Sequence, residues 1–133
     1  MRATLGEPGA DRGTGEGMVE VRFKEVVIDC ADPRSLAEFW VGFTGYTIRH
    51  AYDDWVSIGT PDSSMIIGFQ KVPEGKAAKN RVHIDFAASD EELTARQIEA
   101  MGATRLWVSH NPDDPFVVLA DPEGNEFCIV RDS

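Results

Sequence analysis

Residues 80–86 read Asn-Arg-Val-His-Ile-Asp-Phe (NRVHIDF), and from Val82 to Phe86 apolar and polar side chains alternate without a break. Successive side chains of an extended strand point to opposite faces, which puts Val82, Ile84 and Phe86 on one side and His83 and Asp85 on the other. If helices cover the apolar side, the polar side must meet water, a partner or a ligand. That choice organises the reading of the rest of the chain.

Downstream of this strand, Ser89 and Glu92 have the spacing of a capping box. Leu93, Ile98 and Met101 follow at helical intervals, and Gly102 ends the run. TRLWVS (104–109), FVVLA (116–120) and EFCIV (126–130) are strand candidates, the last two joined by DPEGN (121–125), a hairpin turn. Upstream the same order occurs. FKEVVIDC (23–30) is strand-like; Asp32 can cap, Pro33 suits a first helical turn, Leu36, Phe39, Trp40 and Phe43 recur at helical spacing, and Gly45 closes the helix. YTIRH (46–50), WVSIG (55–59) and SMIIGFQ (64–70) then read as three short strands separated by turn-forming residues. The chain therefore passes twice through strand, helix and three strands, an α+β pattern of two βαβββ modules at 23–70 and 80–130, joined by the linker KVPEGKAAK (71–79).

The 133 residues suffice for one domain with a real core, taken as 18–133. Residues 1–17 carry Gly6, Gly9, Gly13, Gly15 and Gly17 with few apolar side chains and are expected to form a flexible tail, with Met18 a candidate natural start. Thirteen basic against 23 acidic side chains, a net charge of −10 and no basic cluster argue against a nucleic-acid or anionic-membrane partner. No apolar run approaches the roughly 20 residues of a membrane helix, and no signal peptide is evident, so a cytoplasmic location is expected. Cys30 and Cys128 belong to no CxxC pair and read first as buried, reduced thiols.

With DPRSLAEFW (32–40) after the first strand, NRVHIDF opening the second half and LADPEGNEFCIV (119–130) at the end, the chain resembles the vicinal oxygen chelate superfamily. The likeness is nearest to glyoxalase-like or bleomycin-resistance-type proteins of actinomycete kind. It implies curled mixed sheets around a concave cavity, the glyoxalase/bleomycin resistance/dioxygenase fold, and a homodimer. It leaves activity open, because this scaffold hosts isomerases, lyases, dioxygenases and drug-binding proteins.

Alternation assigns Glu25 and Asp29, Trp55 and Ser57, Gly68 and Gln70, His83 and Asp85, and Glu126 and Cys128 to the face away from the helices. A sheet can leave one face to water, yet an aromatic, small polar groups and a histidine together suit a pocket. Asp29, Trp55, Ser57, Gln70, His83, Asp85, Glu126 and Cys128 are thus the candidate ligand-binding residues. Glu25, Asp29, Asp85 and Glu126 would not all stay ionised in a dry cavity without a cation such as Arg81 or Arg105, or a cationic, amine-bearing guest facing Trp55.

The resemblance also implies metal-ligand positions at Glu25, Gly68 (or Gln70), His83 and Cys128, with Glu126 as a further oxygen. Only His83 is of the type the glyoxalase pattern expects. No cofactor is favoured on this donor set, with zinc the divalent metal it would suit. Three functions follow in order. The first is metal-free binding of a small organic ligand, of sequestration or resistance type. The second is a metal-dependent lyase, isomerase or dioxygenase with His83 and Glu25 as catalytic residues. The third is a metal-free acid-base enzyme using His83. Asp85, two residues along the strand from His83, is not expected to need to reach its ring.

Overall fold

Asp32, Pro33 and Gly45 fix the ends of the first helix. The Asp32 carboxylate accepts from the Ser35 amide at 3.2 Å, and Pro33 occupies the first turn. Gly45 closes the helix in the left-handed region (φ 74°), its amide donating to the Val41 carbonyl. A computed structural model describes residues 19–132. Its elements run β1 (Val26–Cys30), α1 (Pro33–Thr44), β2 (Thr47–Ala51), β3 (Trp55–Gly59), β4 (Ile66–Lys71), β5 (Ile84–Ala88), α2 (Glu91–Ala100), β6 (Thr104–Val108), β7 (Phe116–Ala120) and β8 (Glu126–Arg131). The flexible tail and the Met18 start expected from the sequence lie outside the described residues.

Each module is a four-stranded mixed sheet, ordered β1-β4-β3-β2 and β5-β8-β7-β6. In both, the first strand pairs parallel with the last and the remaining pairs are antiparallel. The repeat extends to an irregularity. The register shifts between Ile48 and His50 in β2 and at the corresponding place between Arg105 and Trp107 in β6, where a bulge increases local twist. The expected α+β fold of two βαβββ modules is the fold observed, with two sheets that do not close on themselves.

Three local readings differ. Asp90, not Ser89, caps α2, its carboxylate accepting from the Leu93 amide at 2.9 Å. The chain reaches helical geometry one residue later than the capping-box spacing implies, and an Asp serves the exposed amides as well as a Ser does. The ladder of β5 begins at Ile84, so His83 precedes it, and Val82, assigned to the apolar face, is 77 % exposed. Met65 likewise lies before β4 and is exposed. Alternation continued beyond the end of the pairing in both cases, where nothing covers the apolar side chain.

The buried faces of the two sheets and both helices form one continuous core. Val56, Ile58, Ile67 and Phe69 come from the first sheet, Val117, Leu119, Phe127 and Ile129 from the second. Helix α1 joins them. Trp40 lies 5.9 Å from Phe69 but also 5.9 Å from Phe86 and 5.2 Å from Phe127, and Phe43 stacks on Phe127 at 4.9 Å. Burial of such large rings supplies about 2–3 kcal/mol each and holds the modules as one body.

The DPEGN turn adds polar attachments to the same junction. Asp121 Oδ2 accepts from Trp40 Nε1 at 3.0 Å, while its Oδ1 accepts from the amides of Glu123 and Asn125, both at 2.9 Å. Glu123 in turn accepts from the Ala31 and Asp32 amides at 2.7 and 2.9 Å. The turn between β7 and β8 therefore clasps the end of β1 and the start of α1. Its place beside β1 carries it far beyond the role of a hairpin connection.

Candidate functional site

In the first sheet, the face turned away from α1 carries Val27, Gly68, Ser57 and His50 in one cross-strand row and Asp29, Gln70 and Trp55 in the next. Trp55 lies diagonally across Gly68, and a Cβ built on Gly68 would overlap the Trp55 ring. The glycine is required by the indole, which covers the sheet where a side chain would otherwise stand. Trp55, Ser57 and Gln70 thus share one face, as expected, but Trp55 is turned down onto its own sheet.

In the second sheet the equivalent face brings together His83, Asp85 and Cys128. Asp85 and Cys128 are register partners in β5 and β8, and the imidazole Nε2 of His83 is 3.2 Å from Asp85 Oδ1. The expectation that Asp85 need not reach the ring does not hold: because His83 stands just outside the paired strand, its ring is free to fold back onto the carboxylate. Donor atoms of all three residues lie within 4.8 Å of one another. Burial, followed by the charge of Asp85 and a hydrogen bond to it, pushes the Cys128 thiol up to about 11. They border a hollow of about 170 Å³ whose remaining walls are Asp114, Phe116 and Val130. Asp114 sits in the β6–β7 loop, and no periodicity in the sequence pointed to it.

Between the modules, along the unpaired edge of β1, lies a larger cavity of about 370 Å³. Val27, Ile28 and Ile84 supply apolar wall, while Asp29, His83, Glu126, Asn80 and Asn125 supply polar groups. The linker closes one side through Val72, Glu74, Lys76 and Ala78. Glu126 ties it down: Lys79 Nζ is 2.6 Å and Lys76 Nζ 3.9 Å from its carboxylate, and Asn80 Nδ2 donates to its carbonyl at 3.4 Å. Hydrogen bonding from Lys79, against a smaller opposing effect of burial, holds the Glu126 carboxyl below its ordinary range. The sequence reading missed this strap, since KAAKN has neither helical nor strand periodicity to mark it.

Of the candidate residues, Asp29, His83 and Glu126 line this cavity; Asp85 and Cys128 border the smaller hollow; Trp55, Ser57 and Gln70 line neither. His83 belongs to both. The cations proposed as partners for the acidic groups are replaced by others. Arg105 faces helix α2, bonding Glu92 at 2.9 Å through both terminal nitrogens and Glu99 at 2.9 Å, so it is not available to the cavity. Lys79 and Lys76 take that place.

The metal positions implied by the family resemblance do not fit a shared ion. Gly68 offers no side chain and its outer surface is occupied by Trp55, while Glu126 is engaged by two lysines. Glu25 precedes β1 in the other module and is absent from the donor cluster formed by His83, Asp85 and Cys128.

The family model for the glyoxalase-like domain matches residues 25–130. The chain belongs to this glyoxalase-like family of the vicinal oxygen chelate superfamily. No curated protein matches it. Among solved structures, a glyoxalase/bleomycin resistance/dioxygenase family enzyme from Burkholderia phytofirmans PsJN is 18 % identical, with a TM-score of 0.68 over 81 % of this chain and 96 % of that one. The bleomycin-binding protein of Streptomyces verticillus, solved with copper(II)-bleomycin, is 15 % identical with a TM-score of 0.62, covering 87 % of this chain and all of that one (100 %). The fosfomycin resistance protein FosX of Listeria monocytogenes is 10 % identical with a TM-score of 0.70, covering 86 % and 96 %. At these identities the likeness establishes the fold. No helix among the described residues is long and apolar enough to cross a membrane.

Proposed function

We propose that this protein binds a small organic molecule in the cavity between its modules, held by side chains and backbone without a metal spanning the two sheets. The observation that carries this reading is the cavity itself. Its volume of about 370 Å³ is within the usual range for small-molecule sites, and it joins apolar walls to a few convergent polar groups. It lies at the junction of two modules, a place where such sites commonly form. That similar folds include a bleomycin-binding protein and a fosfomycin resistance protein supports a ligand-binding role of sequestration or resistance type.

The guest is a cation or amine. Glu126 is paired with lysines and Glu123 is hydrogen-bonded by backbone amides, while Asp29 and Glu74 on the cavity wall make no ion pair among the described residues. A positively charged group would find those carboxylates unpaired, in a chain whose net charge of −10 already draws cations. A homodimer is part of the proposal, supported by the exposed Val21, Phe23, Val82 and Trp107 on a domain with an otherwise well-filled core.

A second reading rests on one contact. The 3.2 Å approach of Asp85 to His83 orients the imidazole at the edge of the cavity, the arrangement a metal-free acid-base enzyme needs. The test common to both is a thermal-shift screen with amine-bearing aromatic, neutral and anionic compounds, followed by calorimetry and turnover assays on any ligand found. Saturable binding by amines, weakened at least fivefold by Asp29→Asn, is expected. Stabilisation by the anionic set alone would overturn the charge argument, and turnover lost in His83→Gln would move the assignment to the enzyme.

A further inference from the structure

We propose that the free edge of β1 pairs with the backbone of a short basic peptide, so that the amine in the cavity is the side chain of an extended guest of about three residues. This rests on the cavity reading above and names the class of its ligand.

Register shows which backbone groups are free. Cys30 partners Lys71 of β4, and the Cys30 carbonyl accepts from the Val72 amide at 2.9 Å. Along a parallel strand, successive residues turn their amides and carbonyls to opposite sides, so Cys30, Ile28 and Val26 face β4. Val27, Asp29 and Ala31 turn theirs the other way, toward the second module. Ala31 marks the direction, because its amide donates to Glu123 Oε1 at 2.7 Å. Among the described residues nothing bonds the outward amides and carbonyls of Val27 and Asp29, and β1 is an edge strand of its sheet.

The cavity follows this edge. All five residues of β1 line it, with Val82, His83 and Ile84 on another part of its wall and the linker closing one side. Side chains of consecutive strand residues alternate between faces, so a cavity walled by every one of them borders the backbone itself. An added strand would lie about 4.8 Å from β1, and three residues of it span about 10 Å. Val27 and Asp29 each offer one donor and one acceptor, and a peptide returns both in the matching alternation. An isolated amine would leave the two amides without an acceptor.

Charge selects the side chain of the guest. Asp29 on this edge and Glu74 on the linker border the cavity, and a lysine or arginine would pair with them. The net charge of −10 disfavours an acidic peptide. A volume of about 370 Å³, closed on one side by the linker, suits a short free peptide better than a segment that runs on in both directions.

The test titrates the full chain by calorimetry with acetyl-Ala-Lys-Ala-amide, with its analogues N-methylated at each amide in turn, and with benzylamine. We expect one tripeptide per chain, at least tenfold weaker binding of one or more N-methylated analogues, and benzylamine at least tenfold weaker than the tripeptide. Val27→Pro removes an outward amide and leaves the bonds to β4, a substitution that edge strands accept. It should bind the tripeptide at least fivefold more weakly than Val27→Ala, with circular dichroism and melting establishing that both fold. Should Val27→Pro not fold, the N-methylated set makes the same comparison from the side of the ligand. Equal binding of tripeptide and benzylamine, with N-methylation costing less than twofold, would overturn the edge pairing and leave the cavity reading standing. Binding of neither would overturn both. A nine-residue peptide with the same centre that binds tenfold tighter would give the edge to a segment of a protein. A dimer by light scattering that Val27→Pro converts to monomer would give it to a second copy, and either result overturns the proposal.

Discussion

The indole nitrogen of Trp40 donates a 3.0 Å hydrogen bond to the carboxylate of Asp121, joining a helix of the first module to a turn of the second across 81 residues. Both residues are almost wholly buried, at 1 % and 3 % exposure. Asp121 also receives the Glu123 and Asn125 amides, so it holds the turn in shape while the turn holds β1 through Glu123.

Asp121→Ala should therefore destabilise the fold by about 3 kcal/mol, the cost of leaving several buried donors without an acceptor. Trp40→Phe removes one donor and part of a ring and should cost about 1–3 kcal/mol. Urea unfolding followed by circular dichroism measures both. A loss under about 0.5 kcal/mol in Asp121→Ala would show that the turn is not a structural clasp.

Gly68 and Trp55 should behave as one unit. Gly68→Ala forces the indole off the sheet, with an expected cost of about 1–2 kcal/mol and a red-shifted, more quenchable tryptophan emission. In a Trp55→Ala background the same substitution should cost less than about 0.5 kcal/mol, because nothing then occupies the space above Gly68. Equal costs in both backgrounds would exclude the contact.

The strap over the cavity should loosen in acid. The Glu126 carboxyl is held below its ordinary value of 4.5, chiefly by its bond from Lys79. A carboxyl with a depressed folded pKa contributes stability that is present above the unfolded value and lost as pH falls through the folded one. The stability advantage of the wild type over Glu126→Gln in urea unfolding should shrink as pH falls below about 4.5. Equal stability of the two at pH 7 would mean that Glu126 does not secure the linker.

Both cysteines should be sluggish nucleophiles in the folded protein. Burial comes first among the causes that raise Cys30 to about 12 and Cys128 to about 11, and acidic neighbours add to it in each case. At pH 8 about one Cys128 in a thousand is thiolate, so labelling by a disulfide reagent should be at least a hundredfold slower than in urea. Rapid native labelling would show either thiol to be more accessible and more acidic than its packing implies.

Much of the fold was legible because its signals are local. Asp32, Pro33 and Gly45 bound α1 within a dozen residues of one another, and period-two alternation in WVSIG and EFCIV orients β3 and β8 without reference to anything distant. The repeat of strand, helix and three strands then limits the architectures that can bury those faces, and with its motifs it led to the glyoxalase-like family. Legibility declined where pairing ends. His83 and Val82 continue the alternation of β5 but have left its ladder, which exposes one and lets the other fold onto Asp85.

The sequence by itself determined which side chains share a sheet face, because pleating is dictated residue by residue. Only the tertiary structure decided which of them meet. It set Trp55 over Gly68, brought Lys76 and Lys79 to Glu126, turned Arg105 to helix α2 and seated the DPEGN turn on Trp40. These contacts depend on how two modules and a linker without periodicity pack together, and packing is fixed by the shapes of buried surfaces across the whole chain, which no local pattern encodes.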